Sequence, residues 1–172
     1  MAVLNIHERL LPGKADEVGA LLDTLSGPDD RLWPRDAWPR MVLDGPLEVG
    51  ASGGHGPIRY LVSAYVPGQW VRFAFTGPRG FEGFHEFTVH PISDETTVLR
   101  HTVAMRTRGP ARLSWPLVFR PLHDACVEDG FDCAAHAVLG RPVPYTSWSH
   151  YVRFLRALLR RRPAAEARTA AA

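Results

Sequence analysis

The stretch Ile58-Arg59-Tyr60-Leu61-Val62-Ser63-Ala64-Tyr65-Val66 has a side-chain period of two, and its reading decides the fold. Ile58, Tyr60, Val62, Ala64 and Val66 fall on one side of an extended chain, and Arg59, Leu61, Ser63 and Tyr65 on the other. Pro67-Gly68 is a turn signal, after which Val71, Phe73 and Phe75 alternate with Trp70, Arg72, Ala74 and Thr76. Gly77-Pro78-Arg79-Gly80 turns the chain again into a strand from Phe81 to His90. Pro91-Ile92-Ser93-Asp94-Glu95 leads to a last long strand, Thr96 to Arg106. Successive strands joined by short turns predict an antiparallel meander.

On the N-terminal side, residues 2–11 carry Val3, Leu4, Ile6, Leu10 and Leu11 and read as a first strand ended by Pro12-Gly13. Helical spacing of Val18, Leu21, Leu22 and Leu25 follows, with Asp16 and Glu17 suited to the first turn. Two Trp-Pro steps, Trp33-Pro34 and Trp38-Pro39, argue against a regular helix there. The glycine-rich run Gly50 to Gly56 precedes a strand rather than a helix, so it reads as a mobile loop and not a phosphate cradle. After Gly109-Pro110 the period becomes 3.6 over Leu113 to Leu139, with irregularity expected near Pro116 and Pro121. Steps of 100° gather Phe119, Cys126, Val127, Gly130, Phe131, Ala134, Ala137 and Val138 on one face. Asp124, Glu128, Asp129 and Asp132 fall opposite, and a solvated acidic face is expected.

The chain of 172 residues suits one domain, and at this size roughly 70% of the unfolded surface is buried. Its 17 aromatic side chains argue against disorder. No apolar run reaches the ~18 residues of a membrane span. The N-terminus lacks a basic n-region and an apolar h-region, so a cytoplasmic, bacterial-type protein is the expectation. Cys126 and Cys133 lie two helical turns apart, about 10.5 Å, beyond the ~7 Å reach of a disulfide, and read as buried thiols.

Strand, helix, antiparallel strands and a long terminal helix together predict an α+β fold: a curved antiparallel sheet of six to seven strands wrapped around a long C-terminal helix. Asp30-Arg31-Leu32-Trp33-Pro34, Gly54-His55-Gly56-Pro57-Ile58-Arg59-Tyr60, Pro67-Gly68 and Arg120-Pro121-Leu122-His123-Asp124-Ala125 carry a more specific likeness. From about Ala2 to Leu139 the chain resembles the helix-grip, START-like fold of the SRPBCC superfamily, in an uncharacterised bacterial subgroup. That resemblance implies a cavity between sheet and helix for lipids, polyketides or other apolar ligands. The polyketide aromatase/cyclases of the superfamily do chemistry there. The superfamily shares no catalytic motif, so no catalytic residue is carried over.

Strand parity supplies candidates instead. His101 shares a face with Leu99, Val103 and Met105, and His85 shares one with Phe87 and Val89. Pairing His90 with Thr96 would set His85 directly opposite His101, and a slip of two residues would make them diagonal neighbours. His123 falls on the apolar face of the long helix, and Tyr60 on that of its strand. His85 and His101 are the candidate acid/base pair. His123, Tyr60, His55, Phe73, Phe87, Trp33, Phe119 and Cys126 are the expected ligand-lining residues. Burial should keep these imidazoles neutral, able to donate and accept. No metal and no other cofactor is expected: His85-Glu86-Phe87-Thr88-Val89-His90 is one residue longer than a zincin motif and lies on a strand.

Residues 141–172 form a separate extension. Arg141-Pro142-Val143-Pro144 breaks the helix, and Thr146 or Ser147 can cap a new one. Trp148, Tyr151, Val152, Leu155, Leu158 and Leu159 make an apolar stripe among Arg153, Arg156, Arg160 and Arg161, before a frayed Ala-rich end. The formal charge of +2 divides into −4 for residues 1–140 and +6 for the extension. The stripe of residues 147–162 could dock on its own domain, on a second copy or on a membrane surface. Nucleic acid is not an expected partner, since no binding motif accompanies the basic residues. The expected function is binding of a small, mostly apolar molecule. The alternatives are a polyketide cyclase/dehydratase-like enzyme and a partner-binding module acting through the basic helix.

Overall fold

A computed structural model describes residues 1–160. Strand β1 (Ala2–Pro12) is followed by helix α1 (Ala15–Leu22), two short strands β2 (Val42–Leu43) and β3 (Ser52–His55), and four long ones. These are β4 (Ile58–Val66), β5 (Trp70–Gly77), β6 (Phe81–Ser93) and β7 (Thr96–Thr107). All seven form one antiparallel sheet in the order β1-β7-β6-β5-β4-β3-β2. Helices α2 (Ala111–Ser114) and α3 (Arg120–Leu139) flank a π-helical turn, Trp115–Phe119, and α4 (His150–Arg160) comes last. The π-turn falls at Pro116, within the irregularity expected there; a proline lacks the N–H of a regular ladder. Gly140 adopts φ 61°, the left-handed conformation that closes a helix, and it ends α3. The frayed end expected after Pro163 lies outside the described residues.

The sheet buries its inner face against α3. Tyr60, Val62, Val71, Phe73, Leu99, Val103 and Phe131 are all fully enclosed. Two sequence expectations need correction here, and one open alternative is settled. The centre of the glycine-rich run is a strand, not a loop: Gly53 and Gly54 pair with β2 and with β4. A Cβ on Gly54 would meet the Ile58 carbonyl oxygen at 2.0 Å, so glycine permits the close strand approach. Of the two registers open to β6 and β7 the slipped one is adopted: His90 pairs with Val98, so His101 faces Phe87 and His85 faces Val103. The two histidines are therefore diagonal, not opposite.

The second correction concerns the acidic side of α3. Asp129 and Asp132 are 3% and 2% exposed, and Asp124 and Glu128 are half-buried. Their partners come from distant parts of the chain. Strand β1 turns Asn5, His7 and Arg9 toward the helix, where Asn5 bonds Asp124, His7 bonds Asp124 and Glu128, and Arg9 bonds Glu128 and Asp132. The match is metric: two strand residues advance about 6.6 Å and four helix residues about 6.0 Å. A polar zipper thus clips the edge strand to the helix.

The extension packs on the same side. Thr146 N–H donates to Asp132, and the indole N–H groups of Trp38 and Trp148 both donate to Asp129, at 2.7 and 2.9 Å. Arg156 lies between those indoles, 4.2 and 4.1 Å from their centroids, and donates to the Ala37 carbonyl. Val152 and Leu155 are buried, whereas Tyr151, Phe154, Leu158 and Leu159 are exposed. Ser149 caps α4 by accepting from the Val152 N–H, in place of Thr146 or Ser147. Among the described residues no helix is long and apolar enough to cross a membrane.

Candidate functional site: a buried histidine cluster

Two rows of side chains cross the inner face of the sheet. One runs Val71–Phe87–His101–His7, the other Val62–Phe73–His85–Val103–Asn5. Their histidines meet: His85 Nδ1 lies 3.3 Å from His101 Nε2. Phe73 and Phe75 stack on His85 at 4.9 and 5.2 Å, and Phe87 meets His101 edge-on at 4.5 Å. Tyr60 packs against His85 at 5.0 Å, and its hydroxyl shares a hydrogen bond of 3.1 Å with His55 Nδ1. Trp33 covers His55 at 4.6 Å. From the helix, His123 packs against His101 at 5.0 Å and bonds Asp124 through Nδ1 at 3.2 Å.

His85, His101, His123, Tyr60, His55, Phe73, Phe87 and Trp33 are thus one contiguous cluster. Cys126 is a buried free thiol in the same core. Phe119 stands apart, packed on Phe81 at 5.1 Å in a second core, where Trp115 meets His123 at 5.8 Å and Phe75 bridges Phe81 and His85. The sequence reading missed His7, which lies opposite His101 on β1 and 5.9 Å from the His123 ring. Its signal was parity: Val3, Asn5, His7, Arg9 and Leu11 share one face, but Leu4, Ile6 and Leu10 on the other face are equally apolar and are exposed.

Burial sets the protonation states. It pushes His85 and His101 well below the usual imidazole range, with the charges of His55 and His123 on His85, and of His123, His85, His7 and His55 on His101, adding to the effect. Burial pushes His55 down to about 3 and also lowers His123, against an opposing pull from Asp124. Tyr60 is raised by burial and keeps its proton. His7 behaves oppositely: its hydrogen bond to Asp124 raises it despite burial, with help from Glu128. Burial works against the Asp124 charge, but the bonds from His123 and His7 prevail and hold the carboxyl below its ordinary range.

The polar inventory is incomplete. Among the described residues, His85 Nε2, His101 Nδ1, His123 Nε2 and Asn5 Oδ1 are buried and have no hydrogen-bond partner. In a neutral pair joined through His85 Nδ1 and His101 Nε2, either tautomer leaves one free N–H and one free lone pair. His123 donates through Nδ1 to Asp124, so its Nε2 is a free acceptor. Each unpartnered group costs about 1–3 kcal/mol. The histidines therefore offer one donor and two acceptors among aromatic walls, and Asn5 Oδ1 adds a further buried acceptor.

The ring contact between His101 and His123 closes the interval that a cavity between those two residues requires. Open space lies nearby instead. A cleft of about 390 Å³ is lined by Asp30, Trp33, Pro34, Ala37, Asp129, Cys133, Tyr145 and Trp148, among others. Trp33 borders both cleft and cluster, with His55 on its inner side.

No family model and no curated protein matches the chain. Solved structures do. A norcoclaurine synthase point mutant from Thalictrum flavum, in complex with a transition-state analogue, superposes with a TM-score of 0.60 at 15% identity, covering 81% of this chain and 97% of that one. A protein from Thermobifida fusca gives 0.62 at 16%, covering 83% and 99%. CalU16 from Micromonospora echinospora gives 0.58 at 16%, covering 91% and 83%. The seven-stranded antiparallel sheet, the long helix laid across it and these superpositions agree: this chain has the helix-grip fold.

Proposed function

We propose that this protein binds a small, mostly apolar molecule, lipid- or polyketide-like, with its polar end against the histidine cluster. The unpartnered nitrogens of His85, His101 and His123 carry this reading. A carbonyl answers the free N–H and a hydroxyl answers a free lone pair, which removes the cost of leaving them unmade. The apolar body of the ligand occupies the cleft beside Trp33, whose volume is in the range of small-molecule sites. Displacement of Trp33 opens the way inward past His55. The fold neighbours include a norcoclaurine synthase in complex with dopamine and hydroxybenzaldehyde, which supports aromatic carbonyl compounds as probes.

Replacing His85 and His101 together by Phe keeps ring volume and removes the free donor and acceptor. Binding of hydroxybenzaldehyde, followed by tryptophan fluorescence, is expected to weaken at least tenfold. Unchanged affinity in the double variant contradicts the proposal.

A second reading rests on the His85–His101 hydrogen bond, since neutral imidazoles in contact can accept and release a proton. One of them would take a proton α to a ligand carbonyl, and a neutral donor such as Tyr60 would stabilise the enolate oxygen, as in cyclase or dehydratase chemistry. His101→Ala should then abolish turnover while leaving binding within tenfold. Loss of both in proportion favours simple binding.

A further inference from the structure

Where the polar zipper meets the histidine cluster, three metal-binding side chains converge from two rigid elements. His7 on β1 and His123 and Asp124 on α3 each offer a ligand atom, and these atoms all lie within 4.8 Å of one another. His7 Nε2 is 3.1 Å and His123 Nδ1 3.2 Å from the same carboxylate oxygen, Asp124 Oδ1. Ligands at the bond lengths of zinc stand about 3.3–3.4 Å apart along a tetrahedron's edge, so two of the three edges are nearly in place. Asn5 Nδ2 also donates to that oxygen, at 3.1 Å, whereas Asp124 Oδ2 has only Arg120 at 3.6 Å. Three donors crowd an atom with two lone pairs.

The groups behind these ligands are arranged as metal sites require. A histidine ligand is oriented by giving its other ring N–H to a carboxylate. His7 Nδ1 has such a partner in Glu128 Oε1 at 2.8 Å, and Arg9 holds the second oxygen of Glu128 at 2.9 Å. That bond fixes the His7 ring orientation and aims Nε2 at Asp124, where an ion would replace the Nε2 proton. Side-chain exposures of 15%, 21% and 32% for His7, His123 and Asp124 leave an ion a way in.

We propose that His7, His123 and Asp124 form a site for a divalent first-row transition metal such as zinc, with Glu128 positioning His7. Two imidazoles and one carboxylate suit borderline ions rather than calcium or magnesium, which prefer oxygen cages. Three protein ligands leave a fourth position open to water or another small ligand. This departs from the sequence expectation of no metal, which weighed His123 with His85 and His101 and did not include His7.

The test is calorimetric titration of the chelator-stripped full chain with zinc chloride, repeated with cobalt chloride to read the visible ligand-field absorption of a low-coordinate site. One ion per chain is expected. His7→Gln and His123→Gln should each weaken binding at least tenfold, and Glu128→Gln roughly tenfold through loss of orientation. His150→Gln, on a different helix, should leave it unchanged. Far-UV circular dichroism establishes that each variant is folded. Should either ligand variant unfold, the 15N shifts of the wild-type imidazoles decide: zinc should move His7 Nε2 and His123 Nδ1. No uptake by the wild type, or the same affinity in both folded ligand variants, or zinc-induced shifts confined to other histidines, overturns the assignment.

Discussion

Stability should fall steeply as pH drops below 6.5, faster than carboxylate titration alone provides. His85 and His101 are 5% and 2% exposed, and burial lowers both well below the ordinary imidazole value of 6.5. The unfolded chain takes up protons on these rings near pH 6.5, while the folded chain does not. Their contribution is therefore fully present above pH 6.5 and is lost as pH falls toward their folded values. Each proton costs about 1.4 kcal/mol per pH unit, so the pair contributes a slope of roughly 3 kcal/mol per unit. His55, lowered to about 3, adds to the same slope over the same window. His7 opposes it, because its raised value favours the folded state at low pH. Against a typical total of about 5–15 kcal/mol, a slope of roughly 3 kcal/mol per unit exhausts the stability about two to five pH units below 6.5. Urea denaturation between pH 7.5 and 5 measures the slope. His85→Phe should flatten it by about one proton, and a stability independent of pH in this window contradicts the burial of neutral histidines.

Asp129→Ala should cost about 2–5 kcal/mol and release the extension. The carboxylate is 3% exposed and accepts both indole N–H groups, from Trp38 on one side and Trp148 on the other. Its removal leaves a buried donor on Trp38 and a partly buried one on Trp148 unpartnered, at about 1–3 kcal/mol each. It also takes the nearby negative charge from Arg156, whose guanidinium is sandwiched by the same indoles. Asp129→Asn keeps an acceptor and should lose less. In a Trp148→Phe background the Asp129→Ala cost should shrink, since one orphaned donor is already gone. Chemical denaturation with tryptophan fluorescence reads both the stability and the release. A loss under about 0.5 kcal/mol would place Asp129 among ordinary surface carboxylates.

Much of this architecture is legible in the sequence because strand parity is a local property. Alternation across β4, β5, β6 and β7 assigns Tyr60, Phe73, His85, Phe87 and His101 to the inner face without any knowledge of pairing. Register is not local. The β6–β7 pairing sets His90 opposite Val98, two residues from the register that would set it opposite Thr96, yet the histidines still meet, because a shift of two preserves the face. The acidic stripe of α3 shows where sequence reading fails. Asp129 and Asp132 read as solvated because their partners, Trp38, Arg9, Thr146 and Trp148, lie on other elements. His7 escaped for the same reason: β1 is apolar on both faces, and only the contact with α3 shows which one is inside.

The central claim is that the histidine cluster receives the polar end of a small ligand. Long-range 1H–15N spectroscopy of the imidazoles tests it most directly, during titration with hydroxybenzaldehyde and, separately, with a medium-chain fatty acid. Saturable shifts at His85 Nε2, His101 Nδ1 and His123 Nε2 are predicted for at least one probe, with His150 unmoved. If both probes leave all three nitrogens unshifted, or move only exposed histidines, the cluster is a structural element of the core and the binding account is wrong.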